Sequence, residues 1–232
     1  VGYIPEVAAL TGGYGITLEA DILFPLKQDE ASVAYVNTNV ISASLFGMHG
    51  KNKATDNDDT TWATEDKVNF QVYAVRDELK STNVRFVLTG TAGGFVPRLT
   101  SSLYQEVYNN TRWNISVRIK PETYPLKTFV SGTSDNYIVE LHGVQADSGE
   151  VLEQFTVSQT IASPPAGFIT GSRRAYIGAH RTTFIGTVLQ TSDVKVNACR
   201  YWLDYVEDEA LLGHALDTEN HGALRPHRFA YA

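Results

Sequence analysis

What this sequence lacks narrows it first. It holds one cysteine, Cys199, in 232 residues, so no disulfide can form within the chain and the fold rests on its core without that constraint. A lone cysteine assigns no redox compartment, because a domain of this size does not need the covalent staples of small secreted ones. Charge is scarce too: 19% of the residues are Asp, Glu, Lys or Arg, and the formal net charge is -7. An acidic chain without dense Lys and Arg gains nothing from phosphate backbones or anionic lipid, so neither nucleic acid nor a membrane is expected as a partner. No run approaches the roughly 18 apolar residues of a membrane helix, and the N-terminus lacks the charged, apolar and small-residue regions of a leader. The chain is expected to be soluble. It opens at Val1 and not at Met, and is expected to be a segment of a longer polypeptide.

What the sequence does hold favours sheets. Aromatic residues reach 11%, through twelve Tyr and ten Phe, and with Thr and Val they suit a pleated, half-buried surface better than a helical bundle. Alternation is clear from Ile16 to Phe24, where Ile16, Leu18, Ala20, Ile22 and Phe24 share one face. It is equally clear from Trp113 to Lys120: Trp113, Ile115, Val117 and Ile119 lie on one face, Asn114, Ser116, Arg118 and Lys120 on the other. Further strands are expected at 40–46, 68–76, 84–89, 99–108, 137–142, 150–157, 174–178 and 193–203. The Asp and Gly of Ala146-Asp-Ser-Gly149 predict a tight hairpin turn between two of them. One helix is expected, at 207–216, with acids in its first turn and a buried stripe of Leu211, Leu212, Ala215 and Leu216. A long strand series without intervening helices argues against a parallel sheet. With no repeat, low-complexity tract or linker, residues 1–232 read as a single domain, an all-β antiparallel sandwich with one short C-terminal helix.

The candidate chemistry is thin. Glu19 and Asp21 begin the alternate-position carboxylate pattern that some sandwiches use on sugars, but Leu23 and Phe24 occupy the places where the next acid would stand. Both acids are therefore expected on the solvent-facing side of a half-buried strand. The loop acids Asp56, Asp58 and Asp59 offer oxygen ligands of the kind calcium takes, without the Gly and Glu of an EF-hand; calcium is the only cofactor the chain suggests. The six histidines show no zinc-binding spacing, and His142 and His180 are expected at strand ends. Gly-x-Ser-x-Gly elbows and phosphate loops are missing. The sequons at Asn109 and Asn114 are short enough to arise by chance. Trp62, Tyr104, Tyr108 and Tyr124 fall in or beside loops, where rings could stack on sugars, whereas Trp113 and Trp202 fall on strands as core or sheet-face residues.

Longer stretches carry a resemblance. Between Arg173 and Gly222 the chain reads Arg-Arg-Ala-Tyr-Ile-Gly-Ala-His-Arg, then Phe-Ile-Gly, Ser-Asp-Val-Lys-Val and Arg-Tyr-Trp-Leu-Asp-Tyr, then a short helix with His214-Ala-Leu-Asp217. This resembles the closing part of laminin-G-like domains. Ser42-Ala-Ser-Leu-Phe-Gly-Met-His49 is similar to an early core strand of that superfamily, and Tyr108 to Ile119 to its central strand. The likeness implies a concanavalin A-like jelly roll, a fold that hosts lectins, hydrolases, adhesion modules and virion parts alike. The Gly-Ala-His-Arg and Arg-Tyr-Trp-Leu-Asp segments are similar to modules of tailed-bacteriophage virion structural proteins. The resemblance thus implies a non-enzymatic virion component, in the capsid, tail or fibre, that contacts copies of itself or other virion proteins. A lectin-like module binding a cell-surface glycan in host attachment, and located outside the cell, is the alternative; a glycan hydrolase is the third reading.

Overall fold

The computed structural model describes residues 2–4, 15–26, 41–50, 69–90, 94–124, 136–162, 164, 168–169, 173–178, 180–181, 188–190, 192–220 and 222. Two antiparallel sheets pack face to face. One runs β1 (Gly2–Ile4), β10 (Arg173–Ile177), β3 (Ser42–Gly50), β4 (Phe70–Arg76), β5 (Val84–Gly90) and β6 (Leu99–Thr100). The other runs β13 (Lys195–Trp202), β2 (Ile16–Phe24), β7 (Thr111–Pro121), β8 (Asn136–Asp147) and β9 (Glu150–Ala162). A short ribbon joins β11 (His180–Arg181) to β12 (Val188–Gln190), and α1 (Asp208–Leu216) is the one helix among the described residues. The architecture is the all-β sandwich that the alternation predicts.

The period of two decides what meets in the middle. Ile16, Leu18, Ala20, Ile22 and Phe24 of β2 and Trp113, Ile115, Val117 and Ile119 of β7 are all buried in one core with Phe46, Met48, Phe70, Val72, Phe86 and Leu88 of the opposite sheet. Phe86 anchors an aromatic cluster, its ring 4.9 Å from that of Trp113 and stacked 5.5 Å from that of Phe155. Such contacts add to the area term that drives sandwich packing. The predicted hairpin is present: β8 and β9 join through Ser148 and Gly149, both at positive φ (50° and 85°), as a two-residue turn with the twist of its strands requires.

Several boundaries differ from expectation: the strands expected at 137–142 and 150–157 run on to Asp147 and Ala162. The strand expected at 40–46 runs from Ser42 to Gly50. The strand expected at 99–108 ends at Thr100, because the Ser101 hydroxyl turns the chain: it accepts from the Phe86 N–H (2.9 Å) and donates to the Ser102 carbonyl (2.7 Å). Beyond it Tyr104 keeps a single bridge to Val84. His142 lies in the middle of β8 and not at a strand end, fully buried.

Candidate functional site, a polar sheet face closed by the C-terminal helix

The outer face of the five-stranded sheet is built from the positions between the core residues. Strand pairing sets them in lateral rows. Arg200, Glu19, Ser116, His142 and Thr156 form one row across β13, β2, β7, β8 and β9. Trp202, Thr17, Arg118, Glu140 and Ser158 form the row on one side of it, and Ala198, Asp21, Asn114, Val144 and Gln154 the row on the other.

This face corrects the expectation for Glu19 and Asp21. Neither faces solvent: both are 0% exposed, as are Thr17, Ser116 and His142. Alternation places a residue on a face but does not say what covers that face. Here α1 and its flanks lie across it. Ala210 and Leu211 pack with Val206 and Trp202, while Ala215 packs with Val144 and Ala146. The buried side of the helix is Ala210, Leu211, His214 and Ala215, rotated from the expected stripe, so that Leu216 stays 38% exposed and His214 turns inward.

Polar bonds complete the closure. Arg118, 1% exposed, reaches up from β7 to the Val206 carbonyl (3.1 Å) and the Asp208 carboxylate, and pairs sideways with Glu140 at 3.0 Å. Its guanidinium stands 4.7 Å from the Tyr205 ring centre, and the Tyr205 hydroxyl donates to Glu140 (2.7 Å). Arg112 donates to the Ala215 carbonyl in the last turn of α1, and Arg200 donates to the Thr218 carbonyl just beyond it. Guanidinium groups are well suited to gather several carbonyl and carboxylate acceptors in this way.

Glu19 sits at the centre. It accepts from Trp202 Nε1 (2.8 Å) and Asn114 Nδ2 (3.1 Å), and its Oε1 lies 2.9 Å from His214 Nδ1. Burial alone would raise its carboxyl, but His214, Trp202 and Asn114 together hold it below the usual range. His214 Nε2 faces the Gly222 carbonyl at 3.0 Å. Both ring nitrogens thus face oxygens, an arrangement that favours the doubly protonated imidazolium beside an ionised Glu19. Burial opposes that charge, yet Glu19 raises the His214 pKa above its usual value. The imidazolium also stacks on Trp202 at 5.5 Å and 11°.

The neighbouring groups shift in other directions. Burial raises the Asp21 carboxyl and outweighs Arg112, 3.6 Å away. Burial, reinforced by the Arg118 charge, lowers His142 to about 4 and keeps it neutral; its Nδ1 meets Thr156 Oγ1 at 2.8 Å. Two carboxylates pushed apart in pKa beside a neutral histidine and a serine would suit acid–base chemistry in an open groove. On this face every one of them is buried, and the Glu19–His214 and Arg118–Asp208 contacts clamp the C-terminal segment to the sheet.

The aromatic residues named from the sequence are dispersed. Tyr108 belongs to the core at 2% exposure, its hydroxyl donating to Asp193 (2.6 Å) and its ring covered by Arg76 at 3.9 Å, so it has no face for a sugar. Tyr104 is half-buried and stacked on Phe155 at 5.4 Å. Tyr124 is half-buried at one end of the polar face, its ring 5.8 Å from that of Tyr205 and its hydroxyl bonded to Asp204. Trp62 and the calcium candidates Asp56, Asp58 and Asp59 lie outside the described residues. Among the described residues no group of three His, Cys, Asp or Glu side chains is placed to hold a metal ion. Asn114, buried in the sheet, is closed to glycosylation. Sequence reasoning missed Arg118, Trp202 and His214 as parts of one cluster; the inward turn of His214 leaves no local signal.

No protein-family model matches the chain, and no curated protein matches it by sequence. Among solved structures it is similar to the CBM2 module of an evolved Dit from Lactobacillus casei BL23 phage J-1, at 8% identity and a TM-score of 0.44, over 89% of this chain and 69% of that one. It is also similar to a marine PL-14 alginate lyase from Aplysia kurodai, at 10% identity and a TM-score of 0.32, over 85% of this chain and 73% of that one. Likenesses this loose carry no functional argument, and what describes the chain is its own geometry: a sandwich whose polar sheet face is sealed by its own helix.

Proposed function

We propose that the chain is a non-enzymatic contact module, a single sandwich that acts through its outer surfaces as a capsid, tail or fibre component of a virion. One observation carries the non-enzymatic part. The place where carboxylates and histidines converge is closed by α1 and neutralised from within, by Arg118 on Glu140 and by His214 on Glu19. A glycosidase needs its carboxylates flanking a cleft that admits the sugar; this pair supports packing instead. The virion setting rests on the resemblance of Arg173–Gly222 and the upstream core strands. Recovery of the chain from purified particles at a fixed copy number is the expected outcome, and its absence from them would remove that setting.

A second reading has an observation of its own. At the Tyr124 end of the polar face, Lys120 stands 3.8 Å from the Tyr205 ring, and the exposed Glu122 carboxylate accepts from Asn136 (2.8 Å). The half-buried Tyr124 ring beside such polar groups is the composition of a sugar subsite. A glycan array run with and without calcium tests it, with Tyr124→Ala expected to abolish any signal. Release of reducing sugars from host polysaccharide, lost in Glu19→Gln, would overturn the non-enzymatic reading.

A further inference from the structure

The two edges of the five-stranded sheet are built differently. At one edge β13 carries Lys195 and Arg200, and a register irregularity lies between Val196 and Ala198. Charges and bulges of this kind keep a strand edge from pairing with another chain. At the other edge β9 runs for 13 residues, paired with β8 along one side and with no strand on its other side among the described residues. It holds no Lys, Arg or Pro, and from Glu153 to Ala162 its register is regular. Most of its side chains are exposed, including Val151 (38%) and Leu152 (54%), the only large apolar residues exposed on any strand of this sheet.

We propose that β9 is an assembly edge and that its occupant is a second copy of this chain, paired antiparallel, β9 on β9, about Thr156. This inference rests on the contact-module reading and names the surface and the partner.

The order of residues fits that occupant. Antiparallel pairing about Thr156 sets Phe155 opposite Val157 on the core side of both copies, where each already packs against its own core. Gln154 then faces Ser158 on the outer side, and Glu153, the one acid of the regular run, faces Gln159. No like charges come opposite one another. A parallel, in-register pairing would instead set Glu153 on Glu153 and Glu150 on Glu150, and directly opposed like charges destabilise a sheet. The two sheets would fuse into one ten-stranded layer with residues 153–159 of each copy paired along their regular stretch, an isologous contact closed by a two-fold axis.

The test is the mass of the full chain in solution over a concentration series, for the natural sequence and two double variants. Gln154→Lys with Ser158→Lys sets lysine against lysine twice across the axis; Gln154→Glu with Ser158→Lys sets glutamate against lysine at the same positions. The expected result is a dimer for the natural chain, weakening by about tenfold or more in the first variant and regained in the second, with equal thermal melts showing both variants folded. A natural chain that stays monomeric throughout, or a lysine–lysine variant that pairs as tightly, overturns the inference. A monomeric chain still found in particles at fixed copy number would sink the edge pairing and leave the contact-module reading standing, whereas sugar release would sink that reading alone.

Discussion

Glu19 and His214 come from the first long strand and from the C-terminal helix, yet their charged atoms stand 2.9 Å apart with neither side chain exposed. Their partners make the pair coherent: Trp202 and Asn114 donate to the carboxylate, and the Gly222 carbonyl receives the far side of the ring. Removing one member leaves the other charged and dry, which typically costs about 3–5 kcal/mol. Glu19→Gln and His214→Ala are each expected to destabilise the chain by about that much in urea titrations. The double variant is expected to lose much less than the sum of the two. Additive losses would show that the two groups are not coupled.

The two buried histidines predict opposite pH responses. His142 is held neutral, its folded pKa about 4 against an ordinary 6.5, with Arg118, Asp208 and Thr156 as its polar neighbours. Its contribution is present above pH 6.5 and lost as pH falls toward 4, at up to about 1.4 kcal/mol per pH unit. His214, raised above 6.5 by Glu19, contributes fully below that pH and loses its share as pH rises through its folded pKa. Glu19, lowered from 4.5, contributes above pH 4.5 and fails as pH drops through its own folded value. Stability of the natural chain is expected to peak near pH 6.5. His142→Gln is expected to flatten the acid limb, and His214→Gln the alkaline one. An unchanged acid limb in His142→Gln would refute the assignment.

The sandwich was legible because alternation reports burial on one side of a strand, and Ile16 to Ile22 and Trp113 to Lys120 alternate without interruption. The β8–β9 turn was legible from Asp147 and Gly149, and Gly149 does take the positive φ such a turn needs, with Ser148 beside it. The polar face was not. A strand reads the same whether its second face meets water or a helix, and the element that covers Glu19 is encoded far downstream. That helix also turns a histidine inward where its sequence offered Leu212 and Leu216, a choice supported by Glu19 beneath it, Trp202 stacked on the imidazole ring and the Gly222 carbonyl beyond.

Arg118 is expected to govern how firmly that helix stays down. Its guanidinium joins β7 to Val206, Asp208, Glu140 and the Tyr205 ring at once. Arg118→Met keeps the stem and removes the fork, so backbone amides of 208–216 are expected to exchange with solvent at least tenfold faster while those of β4 and β5 keep their protection. Arg118→Lys is expected to restore little, since one ammonium cannot reach the same set of acceptors. Equal protection of α1 in all three chains would assign the helix to its apolar contacts instead.

The last expectation concerns a position with no room. Gly143 stands opposite Phe155 across β8 and β9, and a Cβ placed there would come within 2.3 Å of the Phe155 ring and 2.9 Å of Ile115 Cδ1. The Phe155 ring is itself packed against both Phe86 and Tyr104, so it cannot swing aside without disturbing the aromatic cluster. Overpacking a well-filled core costs about 1–3 kcal/mol, and Gly143→Ala is expected to lie at the upper end of that range. Gly143→Ala with Phe155→Leu is expected to recover part of the loss, because the smaller side chain vacates the space the methyl needs. A lone Gly143→Ala that melts with the natural chain would show that the ring moves freely.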